Sequence, residues 1–141
     1  DGKAPIASPR RAMGHLLGNG VRFGVARDVM AAGEGIETML SLRCVMPAMP
    51  LIAALSAAHL AAVVFPPALR RLYIVRDDDP AGESAMTRLT ARAETAGIEA
   101  ITLSPRLDDF NDDLRTFGAD ALRIELSAQV APSDHARFMK P

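Results

Sequence analysis

Three groups of acidic residues each follow an expected strand in this chain. Glu34 lies between Gly33 and Gly35, after the run 29–32. Asp77 and Asp79 follow the run 72–75. Asp108, Asp109, Asp112 and Asp113 follow 98–103. Two carboxylates ~4 Å apart repel by about 4 kcal/mol at an effective dielectric of 20. Acids gathered from three segments therefore call for a cation. Mg2+ suits them, as a hard ion that takes oxygen ligands, accepts one or two carboxylates and keeps several waters. Phosphates of a substrate would complete its shell.

Each segment also has a plainer reading when taken alone. Glu34 could be a solvated turn residue. Asp77-Asp78-Asp79-Pro80 could be a polar loop leading into a helix. The acids from Asp108 onward could cap a helix and favour its dipole. Asp77 and Asp79 are two residues apart, so an extended backbone points both to one side. What weighs against three separate plain readings is that all three segments follow expected strands.

The elements that must position these acids alternate. Strands are expected over 29–32, 51–55, 72–75 and 98–103. A helix over 36–46 is stopped by Pro47 and Pro50. A second, over 57–64, has Ser56 as its cap. A third runs from Glu83 to about Ala96, with Gly97 placed to end it. After a loop over 104–111, short helices over 112–117 and 119–128 are split by Gly118. Four alternations with short connections predict an α/β fold, a four-stranded parallel sheet with helices on both faces. Such sheets bind ligands outside the carboxyl ends of their strands. Residues 28–128 form the expected domain. Residues 1–27, broken by prolines and glycines, read as a leader or the remnant of a preceding domain, with a short helix over 11–17. Residues 129–141 read as a loose or helical tail.

Composition narrows the classes further. The chain has 141 residues, 49% of them apolar, and a net charge of −1. That fits one packed domain and excludes a disordered chain. No apolar run reaches the ~18 residues of a membrane span. The single cysteine, Cys44, excludes an internal disulfide framework and a cysteine-only zinc site, and it reads as a small buried residue. No secretory leader opens the chain, so a cytoplasmic origin is expected. The first residue is Asp1 rather than Met, which suggests a piece of a longer protein. The charge gives no basic footprint for non-specific nucleic-acid binding.

Several sharper assignments fail on particular residues. Gly33-Glu34-Gly35 begins like a dinucleotide fingerprint, but Thr38 stands where the third glycine belongs, and Glu34 would meet the pyrophosphate. Asp77 to Gly82 begins like a calcium loop, but Ala81 and Arg88 occupy two ligand positions. A phosphate-accepting receiver would need a lysine near its last strand, and only Lys3 and Lys140 exist. His15, His59 and His135 show no metal-ligand spacing.

The ordered set Glu34-Gly35, then Asp77-x-Asp79 with Pro80-Ala81-Gly82, then Asp109-Phe110-Asn111-Asp112 resembles the Toprim domain. This is the catalytic fold of bacterial primases, topoisomerases and some nucleases. The resemblance covers about residues 28–126. The segments Gly33–Thr38 and Asp109–Asp112 are most similar to the primase and primase-helicase branch of phages, plasmids and integrating elements.

The resemblance implies roles for these residues. Glu34 would act in acid/base work or help hold metal. Asp77 and Asp79 would be the metal-binding pair, and Asp109 and Asp112 the third acidic motif. Gly35 and Gly82 would be turn glycines that let backbone approach the site. Glu37, Asn111 and Arg76 are further candidates. Two positions depart from many replicative primases: Thr38 stands where they carry an aspartate, and Asp108 replaces a basic residue before the third motif.

The activity implied is Mg2+-dependent nucleotidyl transfer, making RNA primers on a DNA template from nucleoside triphosphates, with Mn2+ able to substitute. A zinc-binding domain and a helicase would be partners in the full-length protein, and no membrane is involved. The alternatives are a metal-dependent Toprim nuclease and a non-catalytic nucleic-acid-binding module. A zinc module upstream would favour primase, and an ATPase domain would favour the nuclease. A topoisomerase needs a tyrosine nucleophile from another domain, and Tyr73 lies inside an expected strand.

Overall fold

The computed structural model describes residues 20–77 and 79–139. The helix expected over 11–17 lies outside the described residues. The described chain folds as one five-stranded sheet in the order β1-β3-β2-β4-β5. The strands are β1 (Val21–Phe23), β2 (Val29–Gly33), β3 (Leu51–Ala53), β4 (Arg71–Val75) and β5 (Glu99–Leu103). β2, β3, β4 and β5 run parallel, as expected. The helices are α1 (Ile36–Val45), α2 (Ala57–Ala61), α3 (Pro80–Thr95), α4 (Phe110–Phe117), α5 (Ala119–Ser127) and α6 (Pro132–Phe138).

One strand was not expected. β1, from the segment read as a leader, pairs antiparallel with β3, Arg22 facing Ile52. Its three residues are too few to show a period of two, and the partner that selects them is 30 residues away in the chain. The sheet is thus five-stranded rather than four-stranded, with its parallel core unchanged.

Alternate strand residues face opposite sides, as pleating requires. Val29, Ala31, Tyr73 and Val75 face a core shared with α1, α4, α5 and α6. Met30, Ala32, Leu72 and Ile74 face a second core shared with α2 and α3. Both faces of β2 and β4 are buried, which is why these strands read as unbroken apolar runs.

The winding reverses at β2. The chain leaves β2 for α1 on one face and reaches β3 on one side. It then crosses by α2 to β4 on the other side of β2 and leaves β4 for α3 on the opposite face. The carboxyl ends of β2 and β4 therefore flank the crevice where doubly wound sheets bind ligands. Glu34 follows β2 there, and Asp77 and Asp79 follow β4.

Local expectations change as well. Cys44 is exposed, on the side of α1 away from its buried residues Met39, Leu42 and Val45. α3 begins at Pro80, three residues before Glu83, because Pro at the first helical position has no N–H to lose. Among the described residues no helix is long and apolar enough to cross a membrane.

Candidate functional site

Glu34 is fixed through its backbone. Its carbonyl accepts from Leu55 N at 2.7 Å, and the Gly33 carbonyl accepts from Ala54 N at 2.8 Å. Leu55 makes that bond with φ at 77°, a left-handed conformation that a leucine adopts only under strain. Glu34 Oε1 is buried and has no hydrogen-bond partner. Burial first, then repulsion by Asp79, holds the carboxyl above the usual glutamate range.

Asp77 and Asp79 follow β4 and behave differently. Asp79 caps α3, its Oδ1 accepting from Ala81 N at 2.9 Å and Gly82 N at 3.4 Å. That cap ties the carboxylate to a helix start whose dipole favours it. Asp77 Oδ1 accepts from Thr38 Oγ1 at 3.3 Å. Burial and the charges of Asp109, Glu34 and Asp79 push Asp77 up to about 6 against the Thr38 bond.

The third acidic segment divides. Asp109 caps α4, accepting from Asp112 N at 2.7 Å. Asp112 sits half-buried on the first turn of that helix. Asp113 turns inward and is fully buried. Its two oxygens accept from Arg106 N at 2.7 Å and Leu107 N at 2.8 Å, so it pins the loop before α4. The strand-end pattern alone does not mark Asp113 off from Asp112; only the Toprim resemblance chose Asp112. Glu125 on α5 lies against it, and burial together with Asp113 pushes Glu125 up to about 7.

Asp77 thus feels the charge of Glu34, Asp79 and Asp109, drawn from all three segments, at the crevice end of the sheet. Two glycines leave room beside them. A Cβ on Gly35 would stand 3.8 Å from Asp77 Oδ2, and one on Gly82 would stand 3.5 Å from Glu34 Oε1. Among the described residues no three Asp, Glu, His or Cys side chains already stand as a metal-ligating group. The donor set still fits a divalent cation that keeps much of its water. It offers hard carboxylate oxygens, mutual repulsion to relieve, and an orphaned buried oxygen.

The further candidates lie on the flanks of this cluster. Arg76 Nε donates to Glu83 Oε2 at 2.6 Å along a groove of about 590 Å3 between α3 and β5. Glu37 and Asn111 line a cleft of about 220 Å3 between α1 and α4, where Ser41 Oγ, donating to Glu37 O at 2.9 Å, also lies 3.3 Å from the Asn111 side-chain amide. Thr38 and Ser41 were missed as site residues. Their place at helical spacing beside the apolar Met39, Leu42 and Val45 is the sequence signal that could have found them. Tyr73 is fully buried, its hydroxyl accepting from Ala131 N at 2.9 Å and donating to Asp134 on α6.

Comparison with known proteins gives the same architecture. The crystal structure of the Aquifex aeolicus primase, with its zinc-binding and RNA polymerase domains, superposes with a TM-score of 0.53 at 22% identity. The match covers 72% of this chain and 26% of that one. A DNA primase domain from Pseudomonas aeruginosa gives a TM-score of 0.48 at 20% identity, over 78% of this chain and 36% of that one. At 22% identity the likeness to the Aquifex aeolicus primase is one of fold alone, and the chain spans only part of each solved structure. No curated protein matches the chain. The family model described as the Toprim domain matches residues 29–120, which include β2 to β5 and the acids after β2, β4 and β5. The chain belongs to the Toprim domain family.

Proposed function

We propose that this chain is the Toprim module of a primase-type enzyme that joins nucleotides on a DNA template. The observation that carries the reading is that acids from three segments of a Toprim domain meet at one crevice, where a Cβ on Gly35 would stand 3.8 Å from Asp77 Oδ2 and one on Gly82 3.5 Å from Glu34 Oε1. Burial and the acids of both other segments push the Asp77 carboxyl up, in keeping with that crowding. A protein gathers repelling acids at a ligand-binding crevice when something positive is meant to sit among them. Glu34, Asp77, Asp79, Asp109 and Asp112 would hold Mg2+, with Mn2+ as substitute. When bound, the ion supplies charge neutralisation at the phosphates of a nucleoside triphosphate.

The chain's own contribution is placement. The Asp79 and Asp109 caps fix two carboxylates to helix ends, and Gly35 and Gly82 keep side chains out of the space between the acids. A primer 3′-hydroxyl attacks the α-phosphorus of the incoming triphosphate. Its O–P bond forms as the bond to pyrophosphate breaks, and the hydroxyl proton leaves to solvent or to a site carboxylate. Glu34, whose buried Oε1 has no hydrogen-bond partner, is the candidate acceptor. The full-length protein would add a zinc-binding domain to grip template and would work beside a helicase in the cytoplasm. The primase branch of phages, plasmids and integrating elements is the relative that its motifs favour.

The test is primer synthesis by the full-length protein on single-stranded DNA with labelled ribonucleoside triphosphates. Oligoribonucleotide products that vanish in Asp79→Asn are expected. Cleavage of the DNA without any extension would overturn the reading in favour of a Toprim nuclease.

A further inference from the structure

Thr38 and Ser41 are both buried on one side of α1, at 4% and 3% exposure. Three residues apart, they are neighbours on the helix surface. The rest of that side, Met39, Leu42 and Val45, is apolar. A hydroxyl in such a place costs stability unless it finds a partner. Ser41 has one in its own helix, since Oγ donates to Glu37 O at 2.9 Å, yet it also reaches Asn111 Oδ1 at 3.3 Å, 70 residues on. Thr38 Oγ1 donates to Asp77 Oδ1 at 3.3 Å, 39 residues on. α1 itself starts two residues after Glu34. One helix therefore touches all three acidic segments, the first by chain continuity and the others through two hydroxyls.

We propose that Thr38 and Ser41 are positioning residues, Thr38 fixing the Asp77 carboxylate and Ser41 fixing Asn111 beside the Asp109 cap. α1 then sets the spacing of the acidic segments before any ligand arrives. The consequence for metal binding rests on the function proposed above, whereas the positioning is a property of the metal-free chain. Groups that orient metal-binding side chains commonly carry a tenfold or larger share of the affinity. At 3.3 Å the Thr38 bond is long, which places its share at the lower end of that range.

The test uses the 141-residue chain with Thr38→Val and Thr38→Ala, which lose the hydroxyl, and Thr38→Ser, which keeps it. The first readout is the Asp77 χ1 angle in metal-free protein, from three-bond couplings to Cγ by NMR. Wild type and Thr38→Ser are expected to show one rotamer, and Thr38→Val and Thr38→Ala an average over several. Ser41→Ala is expected to do the same to Asn111. A single Asp77 rotamer in both variants that lack the hydroxyl would overturn the proposal. The second readout is Mn2+ affinity, expected to fall about tenfold in Thr38→Val and to recover in Thr38→Ser. If Asp77 is freed but Asp77→Asn binds Mn2+ like wild type, the metal reading fails and the positioning stands.

Discussion

Glu34 and Gly82 face each other across the crevice between β2 and β4. A Cβ at position 82 would stand 3.5 Å from Glu34 Oε1 and 3.6 Å from Asp79 Cβ. These are ordinary contact distances, so the fold accepts Gly82→Ala. Alanine in the first turn of α3 should stabilise by about 0.5–1 kcal/mol. The added methyl also takes the space beside the orphaned carboxylate oxygen. We expect the urea midpoint to rise and Mn2+ affinity to fall severalfold. Unchanged affinity would show that the space beside Gly82 is not used.

Asp77 makes the metal-free protein pH-sensitive. Its carboxyl is pushed from 3.8 to about 6, so between those values the folded state binds more protons than the unfolded. Stability from this group is present at low pH and lost as pH rises through about 6. Asp77→Asn should therefore flatten the pH profile of urea unfolding above pH 4. It should be more stable than wild type at pH 7.5 without metal. Saturating Mg2+ should erase that advantage by stabilising wild type alone. A variant as pH-dependent as wild type would mean that the surrounding acids do not press on Asp77.

Asp113 and Glu125 hold the third segment in shape. Asp113→Ala removes the acceptor for two backbone N–H groups, Arg106 and Leu107, at a cost of about 2–4 kcal/mol. Glu125 is raised from 4.5 to about 7, so its contribution is present at acid pH and is lost as pH rises through about 7. Glu125→Gln keeps a donor beside Asp113 at every pH. Its unfolding profile should be flatter than wild type near neutrality, read by urea denaturation at pH 5, 6, 7 and 8.

Tyr73 anchors the last helix. Its hydroxyl joins Asp134, which also accepts from Arg71 Nη1 at 3.0 Å, and it accepts from Ala131 N. Arg137 holds α6 at a second point, Nη2 lying 2.9 Å from Asp28 Oδ1. Tyr73→Phe leaves Ala131 N without its acceptor and Asp134 one donor short, which should cost about 1–3 kcal/mol. Hydrogen exchange should quicken in α6, while Mn2+ affinity stays as in wild type, because Tyr73 has no part in the acid cluster.

The sequence made the parallel core readable because β2 and β4 are buried on both faces and bounded by turn residues. It hid β1, whose three residues make sense only against β3. It also hid the role of α6, because Tyr73 and Asp134 are 61 residues apart. Cys44 was misread because composition says that cysteine tends to be buried, while only the packing of α1 decides which side it takes. In the acidic segments, only the Toprim resemblance singled out Asp109 and Asp112, since the strand-end pattern pointed to Glu34, Asp77 and Asp79 and then to Asp108, Asp109, Asp112 and Asp113 alike. That pattern could not separate Asp113, which turns into the core, from Asp112 beside it. Nor could it show that Thr38 meets Asp77.

Mn2+-induced NMR line broadening on the 141-residue chain, with Mg2+ as competitor, tests the central claim most directly. The account predicts broadening centred on Glu34, Asp77, Asp79 and Asp109, reversed by Mg2+, and lost in Asp77→Asn. Broadening centred elsewhere, or none at these residues with a nucleoside triphosphate present, would contradict it.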